Sequence, residues 1–238
     1  MTERPTQSRR YRLTQPWWKR RAIGVPETPA VVLRRRVTVG VFLLIGAVLL
    51  AFSLSRSPGD ASFYWLTLAM AATWIVGAFA SGPVPLGKMQ YGGRQRSPVL
   101  LGTAVGLGLA AAFVVGGLVA REIPGVREYI TAVLEFANQG ALPLIVFITL
   151  INGLAEEFFF RGALYSALGT FHPVAVSTAI YIFTTLASGN PMLGFAAVLL
   201  GTVCALQRRL TGGVLAPMLT HFWWGLAMVL ALPPIFGV

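Results

Sequence analysis

Residues 152–161 read Asn-Gly-Leu-Ala-Glu-Glu-Phe-Phe-Phe-Arg and lie inside a long apolar run. Glu156 and Glu157 are two of only eight acidic residues in the chain, and no acidic residue follows them. A charged side chain at membrane depth is costly to bury, so it is usually paired and usually functional. The stretch therefore predicts a membrane-spanning helix with a polar site in its interior.

Composition favours a polytopic membrane protein around this stretch. Of the 238 residues, 55% are hydrophobic and only 11% are charged, and the mean hydropathy is +0.71. These values predict an all-α transmembrane helix bundle with about seven spans. Residues 125–138 add one amphipathic helix that we expect at the membrane interface. The predicted spans are 37–54, 63–81, 99–120, 141–168, 174–188, 192–206 and 214–233.

The distribution of the net charge of +11 indicates membrane topology rather than nucleic-acid binding. Ten of the nineteen Lys and Arg residues precede residue 37, where they predict a basic N-terminal segment, 1–36, on the cytoplasmic face. Its Trp17-Trp18-Lys19-Arg20-Arg21 run is typical of an interfacial segment. Residues 37–238 are predicted to form a single transmembrane domain in the plasma membrane. The loops after the second and sixth spans are also basic and fall on the same side, which predicts a cytoplasmic N-terminus.

Helical spacing places Glu156 and Glu157 on different faces of the helix, which predicts different roles for them. Glu157 and Arg161 are four residues apart and share a helix face, so they are predicted to contact each other. Glu156 lies on another face with Asn152 and has no local cation. This leaves Glu156 as the candidate general base for activating water. The alternative is an ion pair that only packs two helices together.

His221, early in the last span, is the second candidate group. An imidazole at that depth can bind a metal, carry a proton or stabilise an oxyanion. The alternative is a hydrogen-bonded packing histidine. The single cysteine, Cys204, lies in an apolar segment and is predicted to be a small packing residue.

Two motifs resemble those of a known family. Glu156-Glu157-x-x-x-Arg161 is similar to the first motif of the CAAX protease and bacteriocin-processing (CPBP, or Abi) family of intramembrane endopeptidases. Gly-x-x-x-Ala-Pro217-x-x-x-His221 resembles its C-terminal motif, and the resemblance covers about residues 95–232. It implies a helical bundle whose membrane-embedded site faces the cytoplasm. There a Glu and two His handle a catalytic water, often zinc-bound, and an Asn holds the oxyanion.

The chain departs from the family pattern at two positions. Ala187 stands where the middle motif, Phe-x-x-x-His, has its histidine, and Gly225 stands where the last motif has asparagine. A catalytic zinc site needs three protein ligands, whereas this chain offers Glu156 and His221, with Glu157 as a further candidate. The resemblance therefore implies zinc as a possible cofactor, but this chain lacks one of the ligands that zinc needs.

The resemblance implies an intramembrane endopeptidase that cleaves a membrane-associated or prenylated-type peptide entering from the cytoplasmic side. Its implied site residues are Glu156, Glu157, Arg161 and His221, with Glu156 and His221 as metal ligands. The rival interpretation is a catalytically degenerate scaffold or chaperone of the same fold that binds another membrane protein. A rhomboid-like serine protease is disfavoured because Ser188 lacks the first glycine of Gly-x-Ser-Gly, and a transporter would spread its polar groups over several spans.

Overall fold

The computed structural model describes residues 28–91 and 94–238, and within them the chain forms eight helices and one short hairpin. Six of the helices are long and apolar enough to cross a membrane, and α6 is a shorter apolar helix. The predicted all-α polytopic bundle is thereby confirmed. The helices are α1 (Pro29–Leu54), α2 (Ala61–Ser81), α3 (Val99–Ala120), α4 (Val126–Asn138), α5 (Leu142–Leu168), α6 (Pro173–Leu186), α7 (Pro191–Thr211) and α8 (Leu215–Phe236).

The first helix begins at Pro29, eight residues before the predicted span. Proline at the first helical turn is preorganised for a helix, and Val31, Val32 and Leu33 continue the apolar run up to the arginines. Arg35 is buried, and the Arg36 side chain donates a hydrogen bond from Nε to the Ala167 carbonyl at 3.1 Å. The arginines thus belong to α1 itself. The interfacial run 17–21 lies outside the described residues.

The core lies between α1, α2 and the middle of α5, around the fully buried Trp74. The Trp74 ring packs against Phe159 and Phe160 of α5, with ring centroids 4.6 and 5.2 Å away. On the α1 side the ring lies directly on Gly46, where a β-carbon would overlap it. A small residue at a helix crossing lets two membrane helices approach closely, so Gly46 fixes α1 and α2 against the helix that carries the acidic pair.

The basic segments meet at one end of the bundle, which we call the basic end. There the segment 82–88 crosses the joint between α7 and α8, with Lys88 N donating to Thr211 O at 2.8 Å and Val214 N to Pro85 O at 2.9 Å. A hairpin follows, in which β1 (Met89–Tyr91) pairs antiparallel with β2 (Arg94–Arg96). The start of α1, the loop after α2 and the end of α7 therefore share one side, as the charge pattern predicted. Its assignment to the cytoplasm stays a prediction.

The opposite end of the bundle holds the α1–α2 turn and the amphipathic helix α4. Asp60 caps α2 by accepting a hydrogen bond from Ser62 N at 2.8 Å, and this bond lowers the pKa of the Asp60 carboxyl. Asn190 caps α7 and also donates to Tyr129 O of α4 at 2.7 Å. Asn190 therefore has a structural role at this end of the bundle.

Candidate functional site

The helix α5 changes its geometry at the acidic pair. It is α-helical up to Glu156, π-helical over Glu157–Leu164, and α-helical again to Leu168. π-Helical segments are rare, and they occur frequently at functional sites. The carbonyl of Arg161, inside this segment, accepts a buried hydrogen bond from Arg208 Nε at 2.7 Å. A side chain of α7 thus supports the backbone of the unusual segment.

Glu157 and Arg161 form the predicted ion pair. Arg161 Nη1 lies 3.0 Å from Glu157 Oε1, and both side chains are essentially inaccessible. Arg161 also donates from Nη2 to the Gly201 carbonyl at 3.0 Å, and its guanidinium lies 4.4 Å from the centre of the Tyr181 ring. A buried charge is tolerated when it is paired and hydrogen-bonded. This arrangement satisfies both requirements for Arg161.

His221 joins the same carboxylate from α8. Its Nδ1 lies 3.0 Å from Glu157 Oε1. The ring rests on Gly153 of α5, where an added β-carbon would lie 2.8 Å from His221 Cδ2. A carboxylate on one ring nitrogen fixes the orientation of an imidazole and leaves the other nitrogen for chemistry. Sequence reasoning did not identify Glu157 as the partner of His221.

Glu156 has a partner that sequence reasoning missed. Tyr181 of α6 donates a hydrogen bond from its hydroxyl to Glu156 Oε2 at 2.7 Å. A signal for this contact exists in the sequence, since Thr178, Tyr181 and Thr185 form a polar stripe at helical spacing. Glu156 is therefore hydrogen-bonded by a neutral phenol rather than by a cation.

The face of α6 that meets the acidic pair is the Tyr181 face. Phe183 is 72% exposed, and Ala187 is exposed just beyond the helix end. Ala187, the position aligned with the family histidine, therefore does not face the acidic pair. The rotation of α6 about its axis turns Phe183 and Ala187 outward.

Glu156 and His221 line one cavity of about 240 Å³. Its other polar wall groups are Ser53, Thr67, Thr149 and Asn152, and the remaining wall is apolar apart from Gly153. Asn152 donates from Nδ2 to the Ile148 carbonyl, while its buried Oδ1 has no hydrogen-bond partner among the described residues. The residues that line the cavity thus include a carboxylate, an imidazole and an amide.

Gly225 lies beside this cavity. A β-carbon at Gly225 would meet only the Thr149 side chain, at an ordinary contact distance of 3.7 Å, and Thr149 is part of the cavity wall. The position at which the last motif of the family has asparagine therefore lies beside the cavity wall. In this chain it is a glycine and contributes no side chain.

The donor set does not fit a three-ligand catalytic zinc site. Within residues 28–91 and 94–238, no three His, Cys, Asp or Glu side chains are grouped so as to hold a metal. Glu156 and His221 are two candidate ligands, and the Nδ1 of His221 is already engaged by Glu157. Cys204 is fully buried, with its thiol directed to the Pro217 carbonyl. Zinc binding by Glu156 and His221 stays a prediction, one ligand short of the required three.

Residues 138–227 match the family model described as Rce1-like, type II CAAX prenyl endopeptidase. The matched stretch is less than half of the chain, and it runs from the end of α4 into α8. It contains Glu156, Glu157, Arg161, Tyr181 and His221, so it spans the whole cluster described above. No curated protein and no solved structure matches the chain.

Proposed function

Because this chain is a member of the CAAX protease and bacteriocin-processing family, we propose that it is an intramembrane endopeptidase in which Glu156 activates water. It is a CAAX-protease-like, multi-pass membrane protein. The observation that carries the proposal is that Glu156 and His221, from two different helices, line the same cavity. The substrate is a membrane-associated peptide, with a prenylated peptide as the first candidate.

In this mechanism Glu156 takes a proton from water while the water oxygen bonds to the scissile carbonyl carbon. The C=O electron pair moves onto the oxygen, and His221 stabilises that oxyanion from Nε2. Collapse of the intermediate breaks the C–N bond, and Glu156 returns its proton to the leaving amine. The products are a carboxylic acid and an amine, and no step passes through a metal.

Two neighbouring side chains orient the proposed catalytic pair. The Tyr181 hydroxyl donates a hydrogen bond to Glu156 Oε2 and so fixes the position of the base. The Glu157 carboxylate lies 3.0 Å from His221 Nδ1 and so fixes the orientation of the imidazole. Tyr181 and Glu157 are therefore positioning residues in this proposal.

The test uses purified protein in lipid nanodiscs and a fluorogenic peptide that ends in a farnesylated CaaX sequence. Glu156→Gln keeps the shape of the side chain and removes the base, so cleavage should fall by about a hundredfold or more. Glu135→Gln, which removes an exposed carboxylate of α4, is the matched control and should cleave like the unaltered protein. Cleavage retained in Glu156→Gln would refute the assignment.

A second candidate function is a scaffold for another membrane protein. The observation that favours it is the loss of family polar groups, with glycine at 225 and no histidine on the Tyr181 face of α6. A scaffold does not need the base, so Glu156→Gln should then restore the cellular role of a deletion strain as well as the unaltered gene does. Stoichiometric zinc that disappears in His221→Ala would count against the scaffold and against the metal-free mechanism.

A further inference from the structure

Two consecutive side chains of α7, Gln207 and Arg208, are buried and take no part in the proposed reaction. They are only 3% and 6% exposed, although an amide and a guanidinium are costly to remove from water. Within residues 28–91 and 94–238, no ion pair involves Arg208. A buried cation without a counter-charge needs other polar partners, and Arg208 finds one on α5.

Arg208 holds the backbone of α5 at Arg161. Its Nε donates to the Arg161 carbonyl at 2.7 Å, and its guanidinium lies 4.9 Å from the centre of the Tyr165 ring. A second bond runs the other way, from Arg161 Nη2 to the Gly201 carbonyl at 3.0 Å. Gly201 and Arg208 lie about two helical turns apart on α7. The helix α7 therefore holds Arg161 both by its backbone and by its side chain.

Gln207 holds α8 next to His221. Its Nε2 donates to Thr220 Oγ1 at 2.8 Å, and the Thr220 hydroxyl donates in turn to the Gly102 carbonyl of α3 at 3.0 Å. Thr220 is fully buried, so these bonds are shielded from solvent. Hydrogen bonds between membrane helices contribute to their association. Because Thr220 directly precedes His221, this chain of bonds fixes α8 at the level of the imidazole.

These contacts bear on one distance in the site. Glu157 Oε1 lies 3.0 Å from both His221 Nδ1 and Arg161 Nη1, so α5 and α8 meet at this carboxylate. Arg208 holds the helix that carries Glu157. Gln207 holds the helix that carries His221. Successive residues of α7 are thus attached to the two helices that must meet, and a misplacement near 1 Å at a site can cost about a hundredfold in rate.

We propose that Gln207 and Arg208 are positioning residues, which together set the spacing of α5 and α8 so that Glu157 meets His221. Neither side chain lines the cavity that holds Glu156, so both act through the helices and not on the substrate. Their effect on catalysis rests on the proposed function, whereas their effect on the Glu157–His221 contact rests on the geometry alone.

The imidazole itself reports on this contact in nuclear magnetic resonance spectra of the protein labelled with [15N]histidine in detergent. The chain has only two histidines, and His172→Asn leaves His221 alone. Asparagine also tolerates the left-handed backbone of residue 172, where φ is 40°. A carboxylate only accepts hydrogen bonds, so the contact requires a proton on His221 Nδ1. Glu157→Gln should shift the Nδ1 resonance and so identifies it.

Gln207→Met and Arg208→Met remove the bonds and keep much of the side-chain volume. Each should shift the His221 Nδ1 resonance in the same direction as Glu157→Gln. Arg209→Met, which changes the neighbouring, half-buried arginine, is the matched control and should leave the resonance in place. Gln207→Met removes no charge and carries the test if Arg208→Met does not fold. An unmoved resonance in folded Gln207→Met or Arg208→Met, or an equal shift in Arg209→Met, would overturn the proposal.

Kinetics with the farnesylated peptide separate positioning from substrate binding. Gln207→Met and Arg208→Met should each lower kcat by about tenfold or more. KM should change by less than about twofold, because a group that does not touch the substrate contributes no uniform binding. A raised KM at unchanged kcat would contradict the positioning role. A protein that never cleaves the peptide would fail the proposed function, and the Nδ1 resonance would still decide the contact.

Discussion

At the scale of single residues, Arg161 makes the burial of the Glu157 carboxylate tolerable. It pairs with Glu157, donates to the Gly201 carbonyl and stacks on Tyr181. Its three contacts come from α5, α7 and α6, so one side chain joins three helices. Removal of one partner of a buried pair leaves the other charge uncompensated.

Arg161→Ala should therefore destabilise the protein by about 3–5 kcal/mol. The measurement is thermal unfolding in detergent, followed by the loss of the monodisperse peak in size-exclusion chromatography. Arg121→Ala is the control, because it removes an exposed ion pair with Glu122, whose side chains are 43% and 70% accessible. Exposed pairs contribute little, so equal midpoints for the two variants would contradict the role of Arg161.

Gly153 is a second residue whose size matters to the site. The imidazole of His221 lies where a β-carbon of residue 153 would come within 2.8 Å of Cδ2. Gly153→Ala should push the ring away from Glu157, and a displacement near 1 Å costs about a hundredfold in rate. The measurement is cleavage of the farnesylated peptide at unchanged folded yield.

The control for Gly153→Ala is Gly108→Ala in α3, where nothing lies within 4 Å of the added carbon. It introduces the same methyl group into another membrane helix and should cleave normally. If Gly153→Ala also cleaves normally, His221 has no positional role in catalysis.

At the scale of the elements, α5 depends on how closely α1 and α2 pack. Trp74 of α2 contacts both Gly46 of α1 and Phe159 of α5, so its position links the three helices. Lipid provides no hydrophobic driving force between membrane helices, so small residues at such crossings stabilise them by allowing close van der Waals packing. A larger side chain at Gly46 must displace the indole and, with it, the support of the π-helical segment.

Gly46→Leu should lower the thermal midpoint, by an amount equivalent to about 1–3 kcal/mol of overpacking. Gly40→Leu is the matched control on the same helix, because no atom lies within 4 Å of a β-carbon there. It adds the same side chain toward the outer face of α1. Similar midpoints for both variants would show that the α1–α2 contact does not support the fold.

At the scale of the whole molecule, the arginine-rich segments gather at one end. Membrane proteins retain such segments in the cytoplasm, which predicts the orientation of the bundle. This orientation is tested with chains fused to alkaline phosphatase after Ser57, in the α1–α2 turn, or after Ser97, which follows the hairpin at the basic end. The phosphatase should be active after Ser57 and inactive after Ser97, and the reverse pattern would invert the topology.

Sequence alone determined the class of the fold and the local chemistry of α5. Long apolar runs are interpretable without a structure because a hydrocarbon core of about 30 Å needs about twenty apolar residues per helix. The Glu157–Arg161 contact was also predictable, since four residues on one helix bring two side chains together whatever surrounds them. The shared side of the basic segments followed from counting spans.

Only the tertiary structure decided how the helices are rotated about their axes. His221 meets Glu157, Tyr181 meets Glu156 and Arg208 is buried against the Arg161 carbonyl, although each pair lies on different helices. Helices that are apolar on nearly every face carry little information on which face turns inward. For the same reason the exposed position of Ala187 and the set of helices that line the cavity could not be predicted, because both depend on how α1, α2, α6 and α7 pack around α5.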